Sequence, residues 1–121
     1  MSLKGREEFP KAARLRKRPE FLRLSQTGKK VHAANFVIIS ETNDQGKTRL
    51  GITVSGKVGN AVARNRVKRL VREFFRRRRH EFLPGLDVLV IARKSAAGLS
   101  LKQVESELGK SLVNAGGRQK S

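Results

Sequence analysis

An α/β fold, with three helices packed on one sheet in the order α-β-β-α-β-α, is predicted by three observations on this sequence. Two β-rich runs, "NFVIIS" and "TRLGITVS", flank a polar stretch of turn formers. A third run, "DVLVIAR", is nearly all β-branched or Leu, which suits a strand covered on both faces. Before, between and after these runs, apolar residues recur at helical spacing.

Taken in order, the stretch through Arg18 carries Lys4, Arg6, Lys11, Arg14, Arg16, Lys17 and Arg18 with few apolar residues, and reads as a basic arm over about residues 1–17. Pro19 suits the first position of a short helix, where its missing N–H costs nothing, and Gly28 suits a left-handed stop. Phe21, Leu22 and Leu24 give that helix an apolar side. The segment "ETNDQGK", with Asn43, Asp44 and Gly46, predicts a β-hairpin joining the first two strands. The third strand follows the breaker pair Pro84 and Gly85 and joins the same sheet. Ser100 with Gln103 is a capping-box pattern, and Leu101, Val104, Leu108 and Leu112 supply the stripe of a helix that closes the core. Past Gly116 the ending is polar and Gly-led, so residues 1–115 form one domain and 116–121 a flexible tail.

At 121 residues the chain is a normal size for one domain. Its 28 Lys and Arg against 10 Asp and Glu leave a formal charge of +18, which repels itself unless a polyanion is near. Nucleic acid fits best, because each phosphate neutralised releases counterions and adds affinity. No apolar run approaches the roughly 20 residues of a membrane span, and the N-terminus lacks the apolar segment of a secretory signal; both point to the cytoplasm. With no Cys and only His32 and His80, neither a disulfide framework nor a Cys/His zinc site is available.

The informative stretch runs from Gly56 to His80, "GKVGNAVARNRVKRLVREFFRRRRH". On a wheel of about 100° per residue, Ala63, Val67, Leu70, Val71, Phe74 and Phe75 gather on one side, the stripe that lies against a sheet. Arg64, Lys68 and Arg72 follow at i, i+4 and i+8, with Asn65, Arg69 and Arg76 one row over, as a ribbon facing solvent. Like charges at that spacing cost a few tenths of a kcal/mol per pair, and the one acid among them, Glu73, cannot offset the ribbon. Asn60 is a good N-cap, Gly59 lets the chain turn into the helix, and Lys57 stands near that turn, making the helix start a second phosphate site. A solvated basic face is the ordinary reading of such a run; here the density of Arg and scarcity of acids favour an RNA-binding surface.

Other motifs are set aside. "GKVG" resembles the clamp loop of KH domains but follows a strand instead of a helix, and no Lys-Ser/Thr pair makes it a P-loop. His32 and His80 have no Ser or Asp placed for a triad, so no catalytic residue is assigned to this chain. A cationic membrane-surface or DNA-compacting protein would rest on charge alone, and Asn65 on the charged side speaks against it.

The run from Gly59 to Arg69, "GNAVARNRVKR", with Arg72 and Glu73 after it, resembles the RNR motif of bacterial ribonuclease P protein components. "RLRKRPEF", "LGITVS" and "DVLVIARKSA" fall where that family has similar segments, so the likeness covers all but the two ends. It implies an α+β two-layer sandwich like domain 2 of ribosomal protein S5, with a mixed sheet of about four strands and a left-handed βαβ crossover. It also implies a protein that binds the catalytic RNA of ribonuclease P and the 5′ leader of precursor tRNA, without supplying a nucleophile. Lys57, Asn60, Arg64, Asn65, Arg66, Lys68, Arg69, Arg72 and Arg76 are then the RNA-binding set. A cleft between the first helix and the sheet is the leader site, with Phe21, Phe36, Arg14 and Lys17 as its residues. Magnesium would be held mainly by the RNA, and neither a membrane nor a small-molecule substrate is involved. The chain departs from the family pattern at Ser25 and Ile39, where an aromatic is often found, and at Gly56, where Lys is common. The alternative is a ribosomal or other structural RNA-binding protein with the same charge logic.

Overall fold

The computed structural model describes residues 18–43, 46–78 and 85–114. Its helices are α1 (Arg18–Thr27), α2 (Ala61–Arg78) and α3 (Leu101–Asn114), and its strands β1 (Lys29–His32), β2 (Phe36–Thr42), β3 (Arg49–Val54) and β4 (Leu86–Ala92). Short 3₁₀ turns at Gly56–Val58 and Lys94–Gly98 precede α2 and α3. One four-stranded mixed sheet runs in the order β1-β2-β4-β3. β4 is antiparallel to β2 and parallel to β3, so α2 is the crossover between two parallel neighbours. This is the α+β fold expected from the sequence.

Two expectations change. "NFVIIS" and "TRLGITVS" are not a hairpin, because β4 lies between them and pairs with both. The reason is β4's composition: residues Leu86 to Val90 are buried without a break, and only a central position covers such a strand on both edges and both faces. The hairpin that does form joins β1 to β2, with Lys30 opposite Ile39 and His32 opposite Val37. "KKVH" is too short and too polar to read as a strand, but it suits an edge, where lysines discourage further pairing. Gly28 does end α1, its N–H donating to Leu24 O at 2.8 Å, yet its φ is not positive. Glycine is required there for closeness: a Cβ would come within 2.6 Å of Ile39 Cγ2 and 2.7 Å of Leu24 O.

Strand alternation divides the apolar residues between two faces. On one, Phe36, Ile38, Leu50, Val54, Val88 and Val90 meet α2 through Val67, Val71, Phe74 and Phe75, and α3 through Val104, Leu108 and Leu112. On the other, α1 presses Leu24 onto Ile39 and Leu89, leaving Phe21, Val37 and Ile91 half-buried. The capping box of α3 is in place: Gln103 N–H donates to Ser100 Oγ at 3.2 Å and Ser100 N–H to Gln103 Oε1 at 2.9 Å.

Asp87, fully buried on the α1 side of β4, ties that layer down. Arg49 donates to it in a two-pronged pair, Nε to Oδ1 and Nη2 to Oδ2, each at 2.9 Å. Arg23 of α1 donates to Oδ2 at 2.7 Å, and Asn43 Nδ2 to Oδ1 at 2.6 Å. Arg49 also reaches Glu20 of α1 at 2.9 Å, and Arg23 pairs with Glu41 at 3.0 Å. Burial alone would raise the Asp87 carboxyl; the hydrogen bonds from Arg49, Asn43 and Arg23 outweigh it and hold the group below its ordinary value.

Asp87→Asn should therefore destabilise the domain by about 3–5 kcal/mol near neutral pH, because two guanidinium groups lose their buried counter-charge. A folded value below the unfolded one puts this stability in place above about pH 4 and removes it as pH falls through the depressed value. Urea denaturation of both proteins at neutral and at acid pH measures this, with the gap expected to close on acidification.

Candidate nucleic-acid interface

The interface begins where β3 ends. Ser55 caps the 3₁₀ turn, its side chain accepting from Lys57 N–H at 3.3 Å, and buried Val58 anchors the turn to the core. Gly59 then takes φ +155°, where a Cβ would stand 2.9 Å from the Ala63 Cβ. Asn60 is the N-cap, as read from the sequence: its Oδ1 accepts from Ala63 N–H at 3.0 Å and its carbonyl from Arg64 N–H at 2.9 Å. Lys57 and Asn60 are both exposed at this corner.

Along α2 the predicted apolar stripe is the buried side. Val67, Val71, Phe74 and Phe75 are buried, and Ala63 and Leu70 half-buried. Counting about 100° per residue from those four puts Asn65, Arg69 and Arg72 on the opposite, outward side, with Lys68 on one flank and Arg66 on the other. Asn65, Arg66, Arg69 and Arg72 are exposed and Lys68 half-buried. Two members of the predicted ribbon stand apart. Arg64 falls between Val71 and Phe75 on the same wheel, within the buried stripe; it is half-buried and has a buried Nε without a hydrogen-bond partner among the described residues. Arg76 is held by Glu73, with Nε 3.0 Å from Oε1 and Nη2 on Oε2 at 2.5 Å. Arg77 also bonds Glu73, at 3.0 Å, and lies 3.3 Å from Glu105 of α3. The Arg76 hydrogen bond, against the upward pull of burial, leads in holding the Glu73 carboxyl below its ordinary value. Glu73 thus offsets part of the positive charge at the end of the helix, where Arg76, Arg77 and Arg78 follow one another.

The same pattern extends over the molecule. Every carboxylate among the described residues has a partner inside the protein: Glu20 with Arg49, Glu41 with Arg23, Glu73 and Glu105 with Arg77, Asp87 with Arg23 and Arg49, and Glu107 with Asn35. Lys57, Arg64, Lys68 and Arg69 have no carboxylate partner among those residues, and Arg66 reaches only the Ala97 carbonyl, at 3.5 Å. These residues put a run of uncompensated positive charge along α2 and the turn before it, which attracts a polyanion.

The second expected site is the α1 side of the sheet. Phe21 stands there, half-buried beside Val37 and Ile91, with Leu22 next to it 47% exposed. Phe36 does not: it is 0% exposed, in the core beneath α2 and α3. Alternation along β2 explains this, since Phe36 shares a face with Ile38 whereas Val37 and Ile39 face α1. Arg14, Lys17 and His80 lie outside the described residues. Sequence reading did not single out the β1 edge of this face, where Lys30 and His32 of β1 and Arg93 after β4 are exposed. The signal was the alternation of "KKVH" opposite "FVIIS", which puts Lys30 and His32 on the face of Ile39 and Val37. No helix among the described residues is long and apolar enough to cross a membrane.

A strongly basic α+β domain with an arginine ridge on its crossover helix belongs to the nucleic-acid-binding class of protein. Comparison makes this specific. The model of the family Ribonuclease P matches residues 9–116. The ribonuclease P protein component of Desulforapulum autotrophicum is 45% identical over 106 residues, 88% of this chain and 91% of that one, and its counterpart in Citrifermentans bemidjiense is 44% identical over 100 residues, 83% and 85%. Among solved structures, the RNase P protein of Staphylococcus aureus superposes with a TM-score of 0.83 at 36% identity over 90% of this chain and 100% of that one. The RNase P protein of Thermotoga maritima gives 0.74 at 37% over 80% and 92%. This chain belongs to the ribonuclease P protein component family.

Asn60→Ala should lower stability by about 1 kcal/mol through loss of the N-cap, while Asn60→Ser should be close to neutral. Urea midpoints for the two variants check this.

Proposed function

We propose that this chain is the protein subunit of a ribonuclease P holoenzyme. It binds the catalytic RNA through the ridge of α2 and the 5′ leader of precursor tRNA through the cleft beside α1. Cleavage of the leader belongs to the RNA, and the protein works by screening phosphate repulsion and orienting the strand in the cytoplasm.

The observation that carries this reading is the distribution of charge: the carboxylates among the described residues are consumed in internal pairs, while the outer side of α2 keeps Asn65, Lys68, Arg69 and Arg72 facing solvent or nearly so. Arginine's planar fork can grip one phosphate with two hydrogen bonds, and Asn65 adds a neutral donor and acceptor for RNA edges or 2′-hydroxyls. The half-buried Arg64, with its Nε unbonded, fits a role at the edge of the ridge, where a phosphate oxygen would complete its hydrogen bonding. In the cleft, half-buried Phe21 with Val37 and Ile91 gives an apolar bed of the kind on which unpaired bases rest.

Magnesium supplies charge neutralisation at the scissile phosphate when bound, and its ligands belong mainly to the RNA.

Replacing Arg66, Lys68 and Arg69 together by Ala should reduce the slope of log affinity against log salt for the RNA subunit by about 2–3, close to one unit for each phosphate contact removed. Activity on precursor tRNA should fall most at low magnesium, where the protein's screening matters most. Unchanged slope and unchanged low-magnesium activity would contradict the assignment.

A further inference from the structure

His32 and Arg93 meet at the rim of the cleft opposite α1. Pairing sets His32 across from Val37, and Val37 across from Ile91, so the imidazole stands at the end of the apolar bed that Phe21 borders. Arg93, the residue after β4, puts Nη2 at 3.3 Å from His32 Nδ1, and both side chains are exposed. A guanidinium has only donors, so Nδ1 has to accept, and the contact exists only while that nitrogen carries no proton. Protonation turns it into a second donor and sets two cations against each other.

The backbone keeps the two close in either state. Arg93 N–H donates to Asn35 O at 2.9 Å and Ala33 N–H to Phe36 O at 2.8 Å. Asn35 is itself held by both oxygens of Glu107, through its backbone N–H at 2.7 Å and its Nδ2 at 2.6 Å. The charged groups around the pair give a protonated imidazole no relief. Lys30 shares its face of β1, Lys94 follows Arg93, and Glu107 of α3 is spent on Asn35. On α1, Glu20 and Arg23 are bonded at the other end of the strands, to Arg49 and to Glu41 and Asp87. What suits two adjacent donors at the mouth of an apolar groove is an anion with several acceptor oxygens.

We propose that His32 and Arg93 form a phosphate-binding pair for the single strand in this cleft, in which a phosphodiester replaces their mutual hydrogen bond and is bound by arginine and a protonated imidazole together. The inference rests on the leader reading of the cleft. It adds that leader binding takes up a proton, so its strength depends on pH where the binding of the tRNA body does not.

The test compares precursor tRNA with the same tRNA lacking its leader, each binding the holoenzyme at constant magnesium. The affinity ratio isolates the leader. For the unmodified protein this ratio should rise about fivefold between about pH 8 and pH 6, within the tenfold per unit that one linked proton allows. His32→Gln, which can still accept from Arg93 but cannot take up a proton, should flatten the profile at its alkaline level. His32→Lys, permanently charged, should be flat near the acid level. A ratio above one that ignores pH, or a pH response that survives His32→Gln, overturns the pair while leaving the cleft as the leader site. A ratio of one at every pH, with holoenzyme assembled, overturns both.

Discussion

Burial of Val67, Val71, Phe74 and Phe75 against the sheet decides which way the arginines of α2 point. A helix allows each residue about 100° of rotation from the last, so fixing four side chains underneath leaves Asn65, Arg69 and Arg72 no direction but outward. Each buried side chain contributes roughly 1.5–3 kcal/mol, against a few tenths for each like-charge pair on the outer side. Packing therefore wins, and the repulsion is retained as unspent attraction for a polyanion. Even the end of the helix is held from below: Phe74 and Phe75 meet edge to face with ring centres 5.9 Å apart, and the Arg78 guanidinium lies 5.6 Å over Phe74.

The two sides of the sheet treat charge in opposite ways. Toward α1, Arg23 and Arg49 turn inward on buried Asp87 and hold the helix in place, with Glu20 and Glu41 completing the network. That network consumes acids and cations in nearly equal number and leaves the rest of the same face, from Phe21 across Val37 and Ile91 to the β1 rim, apolar in the middle and basic at the edge. Toward α2, Glu73 is spent on Arg76 and Arg77, and Glu105 of α3 on Arg77. Placement of the six described carboxylates thus leaves two basic surfaces, one along α2 and one at the β1 edge of the α1 face.

The helices were legible because their signals are local. Asn60 and the Ser100–Gln103 box are short-range hydrogen bonds with a fixed spacing, and the stripe of α2 is a single period repeated over 18 residues. Strand pairing was less so. Nothing near Asn43 or Gly46 tells that β4, from more than 40 residues on, takes the place beside β2 that a hairpin partner would occupy. Phe36 was misplaced for a related reason: an aromatic beside a groove and an aromatic under it differ by one residue of strand register. Arg64 was misplaced because the i, i+4, i+8 spacing grouped it with Lys68 and Arg72, although a row at that spacing drifts by about 40° per step and carries Arg64 back between Val71 and Phe75. The β1 rim lay in four residues too polar to show a strand, and the Asp87 network joins four separate segments.

The central claim is that the outer side of α2 is the surface laid against RNA. The chain has no cysteine, so a single one can be introduced at will as the attachment point for a hydroxyl-radical source. Val62, 76% exposed at the start of α2, and Arg69 sample the ridge, while Lys102 and Ser106 sample the outer side of α3. In assembled holoenzyme, probes at Val62 and Arg69 should cut the RNA subunit at discrete positions and probes at Lys102 and Ser106 should cut it weakly. Strong cleavage from α3 with silence from the ridge would contradict the account.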